Sequence, residues 1–139
     1  MRYHTDREEE TEAVGKAVAA LLKDGDLLAL YGEMGSGKTA FTRGLVSVLV
    51  PGARVTSPTY ALLNVYTDGE RTVNHFDLYR VSSEDDLLSV GFWDLVGKGV
   101  TVLEWSENAE GALPLPRWEL RFEKTGETGR DLVLERKEA

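Results

Sequence analysis

The segment GEMGSGKT, from Gly32 to Thr39, constrains the fold more than any other part of the chain. It contains three glycines and one lysine, and it separates a short apolar run at residues 26–31 from a longer one at residues 38–50. The first run has the length of a strand buried on both faces, whereas the second repeats with helical spacing. A strand, a glycine-rich loop and a helix are therefore predicted in that order.

The rest of the chain predicts further helices and strands around this unit. Thr5 and Glu8 have the spacing of a capping box, which predicts a first helix that ends at Asp24 and Gly25. Ser82 or Ser83 is expected to cap a short helix that reaches Val90. The GFWDLV segment is expected to be irregular, with buried aromatic side chains. The other predicted strands are residues 61–66 and 72–79, joined as a hairpin, and then 100–104, 118–123 and 131–135.

Length and composition predict one domain spanning residues 1–139. The formal net charge of -8 indicates that the chain does not bind DNA and reaches RNA only through a partner. The chain contains no cysteine, and no apolar run has the length of a membrane span or a signal peptide. We therefore expect a cytoplasmic protein without a membrane partner.

The GEMGSGKT segment fits the pattern G-x-x-x-x-G-K-[ST], which is the phosphate-binding P-loop. Its glycines allow successive backbone amides to face phosphate oxygens, and the helix that follows adds its positive amino-terminal end. Lys38 is expected to reach the β and γ phosphates, and the Thr39 hydroxyl to bind Mg²⁺. The prediction is a single α/β domain of the P-loop NTPase type, with a central mixed sheet that is flanked by helices and includes an antiparallel portion.

A P-loop also requires an acid at the end of a neighbouring strand, and two residues qualify: Asp77 and Glu104. The spacing does not rank them. His75 lies two residues before Asp77 and shares its face of the strand, although an isolated histidine is more often structural than catalytic. Two further positions remain open: Thr59 meets the γ phosphate or belongs to an ordinary capped turn, and Trp105 stacks on a base or packs in the core.

With these motifs the sequence resembles the TsaE family, also called YjeE, the P-loop ATPases of bacterial tRNA threonylcarbamoyladenosine (t6A) synthesis. The resemblance covers nearly the whole chain. The motifs that carry it are ETEAVG, GEMGSGKT, SPTY (Ser57 to Tyr60), HFDLYR (His75 to Arg80), EWSE (Glu104 to Glu107) and TGR (Thr128 to Arg130).

The resemblance implies a role for each matching position. Thr39 and Glu104 correspond to ligands of Mg²⁺, Asp77 to an acid needed for hydrolysis, and Trp105 to a tryptophan near the nucleotide. The remaining implied contacts to ATP or ADP come from Glu8, Thr11, Gly35, Ser36, Gly37, Lys38, Thr39, Ala40 and Gly129.

The resemblance also implies a switch ATPase that resets a complex of TsaD and TsaB between turnovers, with tRNA bound only through that complex. In this mechanism the SPTY loop, which contains Thr59, closes over the γ phosphate as part of catalysis. Two alternatives use the same phosphate loop. A small-molecule kinase needs lid arginines, for which Arg71 and Arg80 are the candidates, and a nucleotide-gated binding module needs no hydrolysis.

Overall fold

The computed structural model describes residues 1–33, 35–55, 63–79, 81, 83–89 and 91–138, with the side chain of Glu84 excepted. These residues form seven strands and four α-helices, with two short 3₁₀ turns at Ser106–Asn108 and Glu110–Ala112. The helices are α1 (Glu8–Ala19), α2 (Lys38–Leu49), α3 (Glu84–Ser89) and α4 (Phe92–Leu95). The strands are β1 (Arg2–Thr5), β2 (Leu27–Tyr31), β3 (Leu63–Thr67), β4 (Thr72–Asp77), β5 (Val100–Glu104), β6 (Arg117–Lys124) and β7 (Arg130–Lys137).

All seven strands belong to one mixed sheet with the order β1-β7-β6-β2-β5-β4-β3. β2 lies at its centre and pairs in parallel with β5 and β6, and β4 continues the parallel part beside β5. Both edges are antiparallel, since β3 pairs with β4 on one side and β7 pairs with β6 and β1 on the other. The predicted α/β class with a mixed sheet is confirmed.

The parallel strands end at the same edge of the sheet. Cross-strand pairing places Asp77 at the end of β4 directly beside Glu104 at the end of β5. The loop that carries the glycines begins after Tyr31, at the same end of β2. This carboxyl edge is where ligands bind in open α/β sheets.

The two faces of the sheet are covered by different elements. Val18 of α1 and Phe41 of α2 pack with Leu28 and Leu30 of β2 on one face. The other face is covered by α3, α4 and the 3₁₀ turns, which pack on Leu27, Ala29 and Tyr31 through Leu87, Phe92 and Leu113. Every residue of β2 is buried, as expected for a strand between two cores.

The capping-box prediction at the first helix is wrong. Thr5 lies in β1, a strand that the sequence pattern did not predict, and the residue before α1 is Arg7, which makes no side-chain capping bond. The Thr5 hydroxyl instead bonds the Thr11 hydroxyl at 2.8 Å. The pairing of β1 with β7 overrides the local signal, and the sequence pattern does not reveal it because the paired residues lie more than one hundred positions apart.

Other boundaries also differ from the prediction. α1 ends at Ala19 rather than at Asp24, and the GFWDLV segment contains the helical turn α4, in which Phe92 is buried but Trp93 is 44% exposed. Ser83 accepts a hydrogen bond from the Asp86 amide at the start of α3, as predicted for a cap.

β6 buries charged as well as apolar side chains. Glu119 is 1% exposed and pairs with the buried Arg117, whose Nη2 lies 2.8 Å from Glu119 Oε2. A buried charge at this position requires its partner.

Candidate functional site

The loop before α2 has the backbone of a phosphate cradle. Gly35 and Gly37 have φ angles of +76° and +105°, which L-residues other than glycine rarely adopt. A Cβ atom built on Gly37 would lie 3.3 Å from Thr11 Cγ2, so this turn also has little space for a side chain. Because α2 begins at Lys38, the amides of Lys38, Thr39 and Ala40 belong to the first helical turn and have no carbonyl one turn earlier to bond. These amides are available to an anion.

Lys38 lies inside the site rather than in solvent. The residue is 5% exposed, and its Nζ donates a hydrogen bond to the Gly32 carbonyl at 2.6 Å. The same ammonium lies 4.2 Å from the centroid of the Trp105 ring. Burial lowers the pKa of Lys38, while the carboxylates of Glu104, Glu107 and Asp77 act in the opposite direction. The Lys38 side chain therefore extends from the loop toward the carboxylates at the ends of β4 and β5, Asp77 and Glu104.

The two candidate acids differ in their surroundings. Glu104 is 5% exposed, and its Oε2 lies 2.5 Å from Nε2 of the fully buried His75. Asp77 is half-buried, and its Oδ1 accepts a hydrogen bond from the Tyr79 amide at 2.9 Å. Burial raises the pKa of Asp77, and Glu104 raises it further, whereas the Tyr79 amide, His75 and Lys38 lower it. Both acids that the sequence could not rank therefore belong to one site.

Trp105 packs against the core formed with α3 and α4, and its stacking on a base stays a prediction. It is partly buried, has a left-handed backbone with φ of 60°, and packs edge-on against Tyr79 with the ring centroids 5.1 Å apart. The ring also lies against the Lys38 ammonium. It therefore forms one wall of the space around Lys38.

The residues near the two ends of the chain that were predicted to contact the nucleotide do not all lie beside the phosphate loop. Thr11 is buried beside Gly37, so α1 contacts the loop. Glu8 lies on the surface, where its carboxylate accepts a hydrogen bond from Arg43 at 3.2 Å. Gly129 is half-buried in the turn between β6 and β7, and its carbonyl accepts a hydrogen bond from the Thr125 amide. Thr59 and the rest of the SPTY motif lie outside the described residues.

Three charged residues near the loop were not predicted as site residues. Arg130 Nη2 donates to the Gly35 carbonyl at 3.0 Å, and Glu107 Oε2 accepts from the Gly32 amide at 3.3 Å. Lys124 lies 3.7 Å from Glu33. Arg130 and Glu107 belong to the TGR and EWSE motifs, but their positions against the loop depend on the register of β7 and on the turn after β5, neither of which a motif encodes.

The side chains at this edge fit a magnesium nucleotide. Thr39, Asp77 and Glu104 offer a hydroxyl and two carboxylates, the hard oxygen ligands that Mg²⁺ prefers. Among the described residues no group of three His, Asp or Glu side chains has the arrangement of a metal cluster. A magnesium ion that shares its coordination with phosphates uses only one or two protein carboxylates. The buried Ser36 hydroxyl has no hydrogen-bond partner, and it lies within the cradle.

Comparison with known proteins agrees with this geometry. The family model described as "Threonylcarbamoyl adenosine biosynthesis protein TsaE" matches residues 5–132. The chain belongs to the TsaE family. This assignment confirms the resemblance that the motifs predicted from the sequence.

Individual relatives of the TsaE family match over most of their length. The tRNA threonylcarbamoyladenosine biosynthesis protein TsaE of Bacillus subtilis is 35% identical over 134 residues, which cover 96% of this chain and 84% of the relative. The protein of the same name from Treponema pallidum is 39% identical over 107 residues, covering 76% and 78%. The crystal structure of Bacillus subtilis YdiB superposes with a TM-score of 0.77 at 31% identity, and the match covers 99% of this chain and 85% of that one.

Proposed function

We propose that this chain binds ATP and Mg²⁺ at the carboxyl edge of its sheet, hydrolyses the ATP, and serves the t6A modification of tRNA. The observation that carries the proposal is the convergence of Lys38, Asp77 and Glu104 on the phosphate loop. The names of its TsaE relatives supply the pathway.

Each side chain has a part in this hydrolysis. Lys38 exchanges the Gly32 carbonyl for phosphate oxygens, since a buried ammonium gains more from an anion than from a neutral carbonyl. Thr39 and Glu104 would hold Mg²⁺, which would supply positive charge to offset that of the phosphates. Asp77 orients the attacking water, and its raised pKa makes it a better proton acceptor than an exposed aspartate. Thr59 remains a predicted contact to the γ phosphate.

The proposed partners are TsaD and TsaB, and the proposed role of hydrolysis is to reset their complex between turnovers. The net charge of -8 is consistent with a protein that meets tRNA only through such partners and that does not bind DNA. None of the helices in the described part of the chain is long and apolar enough to cross a bilayer. We place the activity in the cytoplasm, where tRNA is modified.

The position of Arg71 gives no support to the kinase alternative. Arg71 directly precedes β4, so the length of that strand, about 20 Å, separates it from the carboxyl edge. Arg80, the other candidate lid arginine, lies outside the described residues. A kinase would also convert an acceptor in the presence of ATP, which mass spectrometry of candidate metabolites detects.

Phosphate release from Mg-ATP tests the proposal. We expect slow release by the protein alone, faster release with TsaD and TsaB, and none with Lys38→Ala. The binding-module alternative is tested with Asp77→Asn, which is expected to bind ATP without hydrolysing it. Full support of t6A formation by that variant would show that hydrolysis is incidental, and the absence of release from the complete mixture would exclude the ATPase function.

A further inference from the structure

The turn between β6 and β7 is tied to the phosphate loop by one side chain. Arg130 is the first residue of β7, where its backbone is paired with Thr5 of β1 on one side and Lys124 of β6 on the other. Its guanidinium donates through Nη2 to the Gly35 carbonyl at 3.0 Å and through Nη1 to the Gly129 carbonyl at 2.7 Å. Nη1 also lies 3.3 Å from the Gly126 carbonyl. A residue whose backbone is paired on both sides, in β1 and β6, therefore contacts the phosphate loop through its side chain.

The contact fixes one peptide plane of the phosphate loop at both ends. The peptide between Gly35 and Ser36 has its carbonyl bonded by Arg130, and its N–H bonds the Glu33 carbonyl at 3.2 Å. Glycine at position 35 would otherwise allow this peptide to rotate easily. Peptide planes are rigid, so the direction of each following amide depends on the plane before it and on the φ and ψ angles between the two. The orientation of the Gly35–Ser36 plane therefore affects where the amides of Gly37 and Lys38 point.

The stem of Arg130 supports the same loop at a second point. A Cβ atom built on Gly37 would lie 4.0 Å from Arg130 Cγ, so the aliphatic part of the side chain lines the left-handed turn while the guanidinium reaches Gly35. The opposite strand of the hairpin adds apolar packing of Phe122 beside Gly32 and Gly37, and the exposed pair of Lys124 and Glu33 at 3.7 Å, which stabilises little. Among the described residues, Arg130 therefore supplies the side-chain hydrogen bond that connects the hairpin to the cradle.

We propose that Arg130 is a positioning residue that preorganises the phosphate loop for nucleotide, holding the Gly35–Ser36 peptide in the orientation that binding requires. The inference rests on the proposed nucleotide site but assigns a role to a residue outside the P-loop motif. A loop ordered before binding loses less conformational freedom when the ligand arrives. Removal of the guanidinium therefore weakens nucleotide binding without removing any group that acts in hydrolysis.

The test measures binding of a fluorescent ADP analogue and steady-state hydrolysis by Arg130→Met, which keeps the stem and removes the guanidinium. We expect the Kd to rise about tenfold, mainly through faster dissociation, because the charge-assisted hydrogen bond to the Gly35 carbonyl is lost. The KM for ATP should rise similarly, whereas kcat at saturating ATP should remain within about twofold. Arg130→Lys, which keeps the charge but not the planar fork, should restore part of the affinity.

The matched control is Arg136→Met, which removes an arginine from the same strand where it contacts Glu138 and the Trp118 ring. It is expected to bind the analogue like the wild type. Wild-type affinity in folded Arg130→Met would overturn the inference, as would an equal fall in kcat and kcat/KM with no change in KM.

Amide hydrogen exchange in residues 33–39 provides a readout that needs no nucleotide. Faster exchange is expected there in Arg130→Met and Arg130→Lys than in Arg136→Met, and unchanged exchange would contradict the inference. If the wild type itself bound no analogue, the proposed function would fail, while the exchange measurement would still decide whether Arg130 orders the loop.

Discussion

His75 Nε2 lies 2.5 Å from Glu104 Oε2, and both side chains are buried on adjacent parallel strands, two residues before the end of β4 and at the end of β5. Nδ1 of His75 has no hydrogen-bond partner among the described residues, which assigns the single hydrogen bond of this ring to Glu104. A histidine in this position orients the carboxylate that we propose as a magnesium ligand. We therefore expect His75 to influence hydrolysis through Glu104, to which its ring is bonded.

The first prediction concerns this contact. His75→Gln should raise the Mg²⁺ concentration needed for half-maximal ATP hydrolysis by about tenfold or more, as loss of an orienting partner does at other metal sites. The measurement is a magnesium titration at saturating ATP. His4→Gln is the control, because His4 also contacts carboxylates but is exposed at the opposite edge strand. Identical titration curves for the two variants would contradict the assignment.

Asp77→Asn should abolish phosphate release while leaving nucleotide binding intact. It should also stabilise the protein at neutral pH, because Asn keeps the bond from the Tyr79 amide and removes a half-buried charge beside Glu104. We expect the Tm at pH 7 to rise by about 1–3 °C. A lower Tm of Asp77→Asn than of the wild type at neutral pH would contradict this, because it would show that the surrounding groups stabilise the Asp77 charge.

The pH dependence of this stabilisation follows from the direction in which the pKa of Asp77 is shifted. Because the pKa of Asp77 is raised in the folded state, folded protein binds this proton more tightly than unfolded protein does. Stability from this residue is therefore present at low pH and is lost as the pH rises from its ordinary value of 3.8 through the folded pKa. The gain in Tm in Asp77→Asn should shrink below pH 4, which thermal melts at pH 3.5 and pH 7 would measure.

Much of the site was predictable from the sequence, because its chemistry is concentrated in short motifs. Lys38 and Thr39 follow from the GKT pattern, and Asp77 and Glu104 follow from their positions at strand ends. The edge strand β1 and the role of Arg130 were not predictable, since both depend on pairing between the first and last strands. The burial of Glu119 was not predictable either, because alternation of polar and apolar residues does not reveal that Arg117 is buried beside it.

The contact between Lys38 and Trp105 predicts that the fluorescence of Trp105 responds to nucleotide. Binding of ADP should draw the Lys38 ammonium from its place 4.2 Å from the ring centroid, and the emission of Trp105 should change. The experiment uses a variant with Trp93→Phe and Trp118→Phe, so that Trp105 is the only tryptophan. Lys38→Met in that background is the control and should show less than half of the change. An equal response in the control would mean that Trp105 senses the nucleotide directly.

The close approach of α1 and α2 fixes the position of Thr11, a residue of α1, beside the phosphate loop. Cβ atoms built on Gly15 and Gly44 would overlap the Phe41 and Glu12 carbonyl oxygens, so the two helices cross with backbone against backbone. Neither carbonyl can move without shifting its helix. Gly15→Ala and Gly44→Ala should therefore each lower the free energy of unfolding by about 2–3 kcal/mol, although alanine favours helix by itself.

Urea denaturation would measure this destabilisation, with Gly111→Ala as the control because a Cβ at Gly111 would meet no atom within 4 Å. Gly111→Ala should change the free energy of unfolding by less than about 0.5 kcal/mol. Because α2 begins in the phosphate loop, separation of the helices should also weaken binding of ADP in Gly15→Ala. Stability like that of the wild type in both helix variants would show that the helices can separate at little cost, and that the crossing does not fix the position of Thr11.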